Sequence, residues 1–228
     1  HCTTLGLDLL RRFLDAECIT APPGVRVDDG WKSLRSHCDT GEWFASQRMN
    51  LSPDMMTMAK GLTSGYIPMS GVMVGDRVAN RFITDGGEFY HGFTYSGHPV
   101  AAAVALANLD IIEGEGLIER VREDTGPYLG EALSPLADHP LVGEVRTYGL
   151  LAAIELVKSK DGPVLFDNVG HAGGLCRDHA LSHGLMMRAV RDGMILSPPL
   201  TYTRDDIDAT VVIAKTALDA TAADLGIS

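Results

Sequence analysis

The spacing of apolar residues along the chain predicts a series of helices. Leu7, Leu10 and Leu14 recur at helical spacing, so a helix is expected over residues 7–17. Residues 100–112 are apolar on nearly every face, which predicts a long helix that is buried all round. Further helices are predicted at residues 76–82, 117–133, 170–183 and 204–222.

Shorter apolar runs predict strands. Residues 55–59 form an apolar run that ends at Lys60, and residues 69–74 alternate weakly. The pair Asp192-Gly193 lies between two apolar runs and is a turn signal, which predicts a hairpin. The strands of this hairpin and two others are predicted at residues 185–190, 194–197, 142–145 and 150–157.

Residues 18–40 break this pattern of helices and strands. Pro22-Pro23-Gly24 interrupts any regular element, and polar residues with scattered charge follow it. No apolar strand precedes Asp28 and Asp29, so we interpret these two carboxylates as part of a solvated turn. The sequence therefore predicts a loop here, because a run rich in Pro, Gly and charge cannot occupy a buried parallel strand.

Composition and charge narrow the class of protein. The formal net charge is −11 and the isoelectric point is about 5.1, which disfavours nucleic acid and acidic membrane surfaces as partners. The apolar runs are short and interrupted, so no membrane span and no secretory leader are expected. The four cysteines are widely separated and form no CxxC pair. We therefore expect reduced thiols and a cytoplasmic protein.

Lys60 is the first candidate for chemistry. A strand that delivers one lysine into a glycine-rich turn suits Schiff-base chemistry, provided that the amine lies in a partly dry pocket. A surface lysine at a strand end is the alternative. The segment around Lys60 and two later segments resemble the class III (omega) aminotransferases, which are pyridoxal 5'-phosphate (PLP) enzymes of fold type I. The segments that carry the resemblance are residues 53–62, 65–72 and 91–99.

The resemblance extends from about Gly41 to the C-terminus and implies an α/β fold. Residues 1–115 are expected to form the C-terminal part of the PLP-binding large domain, with a mostly parallel sheet and residues 18–40 aberrant. Residues 116–228 are expected to form a small C-terminal α+β domain. The family also implies PLP as the cofactor and a homodimer as the assembly.

Three residues receive roles from the resemblance. Lys60 matches the lysine that attaches PLP covalently and moves protons in catalysis. Thr94 matches the threonine that holds the cofactor phosphate, usually in the partner subunit's site; a helix-capping turn threonine is the alternative. Arg188 matches the arginine that grips a substrate carboxylate through two parallel bonds, and a salt-bridged strand arginine is the alternative.

Aromatic and histidine residues near these positions are less specific. Tyr66, Tyr90 and Tyr95 are candidates to line the site, and Tyr66 is the preferred one because it follows the lysine closely. His91 and His98 flank the segment that contains Thr94 and receive no role.

The implied reaction is the transfer of an amino group from a diamine or omega-amino acid to pyruvate or a similar oxo-acid. The segments 91–99, 141–157 and 187–199 look closest to the putrescine/omega-amino acid:pyruvate members. A semialdehyde aminomutase is the alternative within the class. A non-catalytic remnant that only folds or oligomerises is the alternative outside it, and the lack of the family's Asp-Glu-Val motif favours that reading.

A frameshift is one hypothesis for residues 18–40. Codons that encode Leu34–Cys38, moved by one base, read Phe-Gly-Arg-Thr, a stretch that the family has at this place. Codons for Trp31–Leu34, moved by two bases, read Glu-Val-Thr, which is similar to the end of the missing motif. Codon degeneracy also allows both matches by chance.

Overall fold

The structure is a computed structural model that describes residues 38–86, 90–161 and 164–227. The predicted helix over residues 7–17 lies outside the described residues. The predicted loop and the frameshift hypothesis for residues 18–40 fall almost entirely outside them as well.

The described residues are of mixed α and β structure and divide into two compact units. The first unit contains Glu42–Gly116. The second contains the chain from Leu117 onward together with Asp39–Gly41. Each unit has its own hydrophobic core, because the apolar faces of its helices pack on its own sheet.

The first unit is built around an antiparallel hairpin. Its two strands pair from Met55 opposite Val74 to Ala59 opposite Ser70. Parallel strands require a crossover of about a dozen residues or more, and the connection Lys60–Met69 is shorter than that. The elements of this unit are α1 (Ala45–Arg48), β1 (Met55–Ala59), β2 (Ser70–Val74), α2 (Asp76–Asp85) and α3 (Pro99–Gly114).

Helix α3 packs on the hairpin through one face. Ala105 and Leu109 of α3 belong to the same buried cluster as Met58 and Met73 of the strands. The prediction of a helix that is buried all round is wrong for the described part of the chain, because only one face has such a partner. The buried side chains of α3 are Ala101, Ala102, Ala105, Leu109 and Ile112, and the exposed apolar ones include Val100 and Ile111.

The second unit has a four-stranded sheet whose strand order is β3-β4-β6-β5, with every neighbouring pair antiparallel. The mostly parallel sheet that the resemblance implied is therefore not what the described residues form in either unit. The elements of this unit are α4 (Leu117–Arg120), a π-helical segment (Val121–Thr125), α5 (Gly126–Leu133), a 3₁₀ turn (Ser134–Asp138), β3 (Val142–Tyr148), β4 (Leu151–Leu156), α6 (His171–Ser182), β5 (Arg188–Val190), β6 (Gly193–Leu196) and α7 (Arg204–Leu225).

Strand β4 shows how the core of the second unit forms. Its residues alternate between buried and half-buried, and Ala152, Ile154 and Leu156 point into the core. Leu129 of α5 and Leu218 of α7 pack in the same cluster. Each fully buried Leu or Ile contributes about 1.5–3 kcal/mol to folding. This cluster is the larger of the two cores.

Helix α7 begins where the sequence predicts. The Thr203 hydroxyl accepts a hydrogen bond from the Asp206 N–H over 3.2 Å, and the Thr203 N–H donates to the Asp206 carboxylate over 2.9 Å. This reciprocal capping box satisfies two backbone donors at the helix start. The predicted hairpin is also confirmed, since β5 and β6 pair on either side of Arg191 and Asp192.

Cys176 is a buried free thiol, as predicted for this cysteine. Burial raises the pKa of the Cys176 thiol to about 11, so this thiol is unreactive at neutral pH. None of the helices in the described part of the chain combines the length and the apolar composition that a membrane span needs. No group of side chains within the same residues has the composition of a metal site.

Candidate active site

The lysine identified in the sequence lies where a strand meets a tight turn. Strand β1 ends at Ala59, and Lys60 begins the 3₁₀ turn Lys60–Leu62. The backbone of Lys60 is left-handed, with φ 52°. A residue other than glycine pays on the order of 1–3 kcal/mol for such a conformation, which persists only where the surrounding structure holds it.

A cavity of about 1000 Å³ opens beside this turn. It lies wholly within the first unit, between the lysine turn, the start of β2 and the loop that precedes α3. The residues that line it are Ala59, Lys60, Thr63, Gly65, Ile67, Pro68, Met69, Ser70, Phe93, Tyr95, Ser96, Gly97, His98, Ala101 and Ala102.

The start of helix α3 forms one wall of the cavity. His98 is the N-cap residue, and its Nδ1 accepts a hydrogen bond from the Ala101 N–H over 3.4 Å. Pro99 occupies the first helical position, where its missing N–H costs nothing. Backbone N–H groups and the helix dipole make a helix start favourable for an anion. Ser96 and Gly97 in the preceding loop also line the cavity.

Of the three predicted site residues, one lines the cavity and two do not. Lys60 lines the cavity and is exposed, so the described residues do not give its amine the partly dry surroundings that the sequence predicted. Thr94 is exposed in the loop before α3; its neighbours Phe93 and Tyr95 line the cavity, whereas Thr94 does not. Arg188 is exposed on β5 in the second unit.

The tyrosine that lines the cavity differs from the one that the sequence favoured. Tyr66 is 88% exposed and does not line the cavity, whereas Tyr95 does. Sequence reasoning also left His98 without a role, although this residue both caps α3 and lines the cavity. A histidine directly before a proline at a helix start is a capping signal that could have identified it.

Comparison with known proteins identifies the family. A family model described as aminotransferase class-III matches residues 37–218. The chain therefore belongs to the class III aminotransferases, a PLP-dependent family.

Individual relatives agree with this assignment. The putrescine–pyruvate aminotransferase of Pseudomonas aeruginosa is 55% identical over 184 residues, which are 81% of this chain and 40% of that protein. The diaminobutyrate–2-oxoglutarate transaminase of Halomonas elongata is 44% identical over 186 residues, which are 79% of this chain and 39% of that protein. The chain thus spans about 40% of the length of these curated relatives.

Solved transaminases share the fold. One described as a product of directed evolution by ancestral reconstruction matches with a TM-score of 0.79 and 44% identity, over 83% of this chain and 43% of that chain. A transaminase solved with L-ala matches with a TM-score of 0.78 and 38% identity, over 84% of this chain and 46% of that chain. The α/β fold expected from the sequence, that of part of a fold type I PLP enzyme, is confirmed.

The cavity residues fit two parts of PLP. Lys60 would supply an amine for the aldehyde carbon, and Ser96 and Gly97, next to the positive end of the α3 dipole, would supply donors for a phosphate. The described residues that line the cavity include no carboxylate to pair with the pyridine nitrogen. The lining therefore includes groups suited to the attachment end and the phosphate end of the cofactor.

Proposed function

We propose that this chain is part of a transaminase that moves an amino group from a diamine or omega-amino acid to pyruvate or a similar oxo-acid. The observation that carries the proposal is the position of Lys60, at the wall of the cavity and held in a left-handed conformation. The substrate class rests on the 55% identity to a putrescine–pyruvate aminotransferase.

Lys60 is the proposed catalytic residue and the point of covalent attachment. PLP, when bound, supplies an electron sink for the bonds that break at the substrate carbon. Once an incoming amine has freed the lysine, Nζ of Lys60 would carry the proton from the amine-bearing carbon to the aldehyde carbon of the cofactor, and in the opposite direction when the oxo-acid is aminated. The open cavity leaves room beside Nζ for a small aliphatic amine.

Thr94 is the proposed phosphate residue, acting in the site of a partner subunit. Its exposure, and its place outside the lining of the cavity of its own chain, agree with a role in a neighbouring copy. The same proposal makes the assembly a homodimer. The first unit corresponds in this proposal to the large domain up to residue 115, and the second to the small C-terminal domain over residues 116–228.

Arg188 is the proposed residue for a substrate carboxylate. It is exposed on a short strand whose register is fixed by pairing with Ile195 of β6. Its planar guanidinium can offer two parallel donors to a carboxylate. A plain diamine has no carboxylate to accept from these donors. The effect of replacing Arg188 should therefore depend on whether the substrate carries a carboxylate.

Borohydride reduction in the presence of PLP tests the proposal. Peptide mapping is expected to place the pyridoxyl group on Lys60, and Lys60→Ala is expected to abolish the absorbance that develops near the visible edge. Lys158→Ala is the matched control, because Lys158 is a surface lysine paired with Asp167 in the second unit. A label on another lysine with none on Lys60 contradicts the assignment.

The product of the reaction separates the remaining alternatives. Formation of alanine from pyruvate with a diamine donor supports the transaminase, whereas an internal amino shift in a semialdehyde without an oxo-acid supports an aminomutase. Absence of any PLP absorbance in the unmodified chain supports a non-catalytic remnant.

A further inference from the structure

A side chain on helix α3 is bonded to the lysine turn. Asn108 donates from Nδ2 to the carbonyl oxygen of Gly61 over 2.9 Å and to that of Leu62 over 3.2 Å. Its Oδ1 accepts a hydrogen bond from the Ser64 hydroxyl over 2.6 Å. One amide therefore joins three residues of the turn to a helix that is anchored in the core.

The turn depends on support of this kind. Lys60 and Ser64 both have left-handed backbones, with φ 52° and 47°, which residues other than glycine disfavour. Two backbone hydrogen bonds within the turn are long: the Thr63 N–H reaches the Lys60 carbonyl over 3.2 Å, and the Ser64 N–H reaches the Gly61 carbonyl over 3.4 Å. These two bonds by themselves restrain the left-handed residues only weakly.

We propose that Asn108 is a positioning residue that keeps Lys60 at the cavity wall by holding the left-handed turn. Asn108 does not line the cavity, so it acts through the backbone and not by touching a substrate. The inference rests on the proposed function, because it assigns the held lysine to cofactor attachment. The inference assigns a role at the lysine turn to a residue of α3, a helix that is distant from Lys60 in the sequence.

Three variants separate this role from general stability. Asn108→Ala removes all three hydrogen bonds, and Asn108→Asp keeps nearly the same volume and the acceptor for Ser64 but loses both donors. Ser64→Gly, combined with Asn108→Ala, relieves one left-handed position and should restore the turn. Ile111→Ala is the control, because Ile111 is an exposed apolar residue of the same helix.

Hydrogen exchange without added cofactor is the first measurement. Amides of the peptide that spans Lys60–Gly65 are expected to exchange roughly tenfold faster in Asn108→Ala and Asn108→Asp than in the unmodified chain. Peptides of the second unit and the Ile111→Ala variant should show no change. Unchanged exchange at the turn overturns the inference, whatever the chain does with PLP.

Titration with PLP is the second measurement. The dissociation constant is expected to rise roughly tenfold in Asn108→Ala and to recover in the Ser64→Gly double variant. A loss that the double variant does not recover, together with faster exchange throughout the first unit, indicates general destabilisation and overturns the positioning role. No PLP binding by the unmodified chain contradicts the proposed function instead, and the exchange result still decides whether Asn108 holds the turn.

Discussion

The carboxylate of Asp192 accepts a hydrogen bond from the backbone N–H of Gly173 over 3.0 Å. It also accepts one from the N–H of Gly170 over 2.9 Å. Asp192 lies in the turn between β5 and β6, is 7% exposed, and so caps the start of α6 from a distant part of the chain. This bond requires a close approach of the two backbones, and glycine at position 173 permits it.

A methyl group at position 173 is expected to break this contact. A Cβ there would lie 2.1 Å from the carbonyl oxygen of Arg191, far inside normal contact distance. Gly173→Ala should therefore destabilise the chain by roughly 3 kcal/mol or more, measured as the free energy of urea unfolding. Gly174→Ala is the control, because a Cβ at Gly174 meets nothing within 4 Å. The free energy of unfolding of Gly174→Ala should rise by up to about 1 kcal/mol, because alanine has a higher helix propensity than glycine. Equal effects of the two substitutions would contradict the close approach at Gly173.

Stability is expected to fall in acid through the capping box of α7. Hydrogen bonds from the Thr203 side chain and backbone hold the pKa of the Asp206 carboxyl below its ordinary value of 3.8. A carboxyl with a lowered pKa in the folded state stabilises the fold above the ordinary value, and this contribution is lost as the pH falls below 3.8. The free energy of unfolding, measured in urea, should decrease between pH 5 and pH 3. This decrease should be smaller for Asp206→Asn than for the unmodified chain. Asp205→Asn leaves the capping box intact, so its free energy of unfolding should decrease as much as that of the unmodified chain.

Substitution of Arg188 is expected to affect substrates according to their charge. Loss of a bidentate, partly desolvated pair costs on the order of 2–5 kcal/mol, so Arg188→Ala should slow turnover of an omega-amino acid by more than about tenfold. Turnover of the amine half-reaction with a plain diamine should change little. Arg188→Lys should not restore the carboxylated substrate, because an ammonium lacks the planar fork.

Arg191→Ala is the matched control for Arg188, because Arg191 is an exposed residue in the adjacent turn. Steady-state kinetics with both substrate types make the comparison. An equal, small effect of Arg188→Ala on every substrate would rule out the carboxylate role.

The chain is expected to associate through the loop before α3. Phe93 and Tyr95 in this loop are 74% and 78% exposed, and exposed aromatic residues close together are typical of an interaction surface. Light scattering at micromolar concentration should give a mass above that of the monomer. The double substitution of Phe93→Ser and Tyr95→Ser should lower the measured mass. Ile83→Ser, at an exposed apolar position on α2, should leave the mass unchanged. A clean monomer for the unmodified chain would contradict the proposed dimer.

The sequence by itself determined the local elements and the family. The capping box at Thr203 and Asp206, the turn at Asp192 and the strand that ends just before Lys60 all appear in the structure where the sequence predicts them. Their signals lie within a few neighbouring residues, so chain packing does not decide them. The family followed from short motifs for the same reason.

Tertiary structure decided which residues meet. Asn108 bonds to Gly61, a residue 47 positions earlier, and nothing in the helical pattern around Asn108 distinguishes it from a surface asparagine. Asp192 likewise reaches Gly173 across 19 positions. The exposure of one face of α3 depends on what packs against the helix, and its apolar residues alone predict burial on every face. Contacts of this kind depend on how distant segments pack, and a local pattern of residue types does not predict that packing.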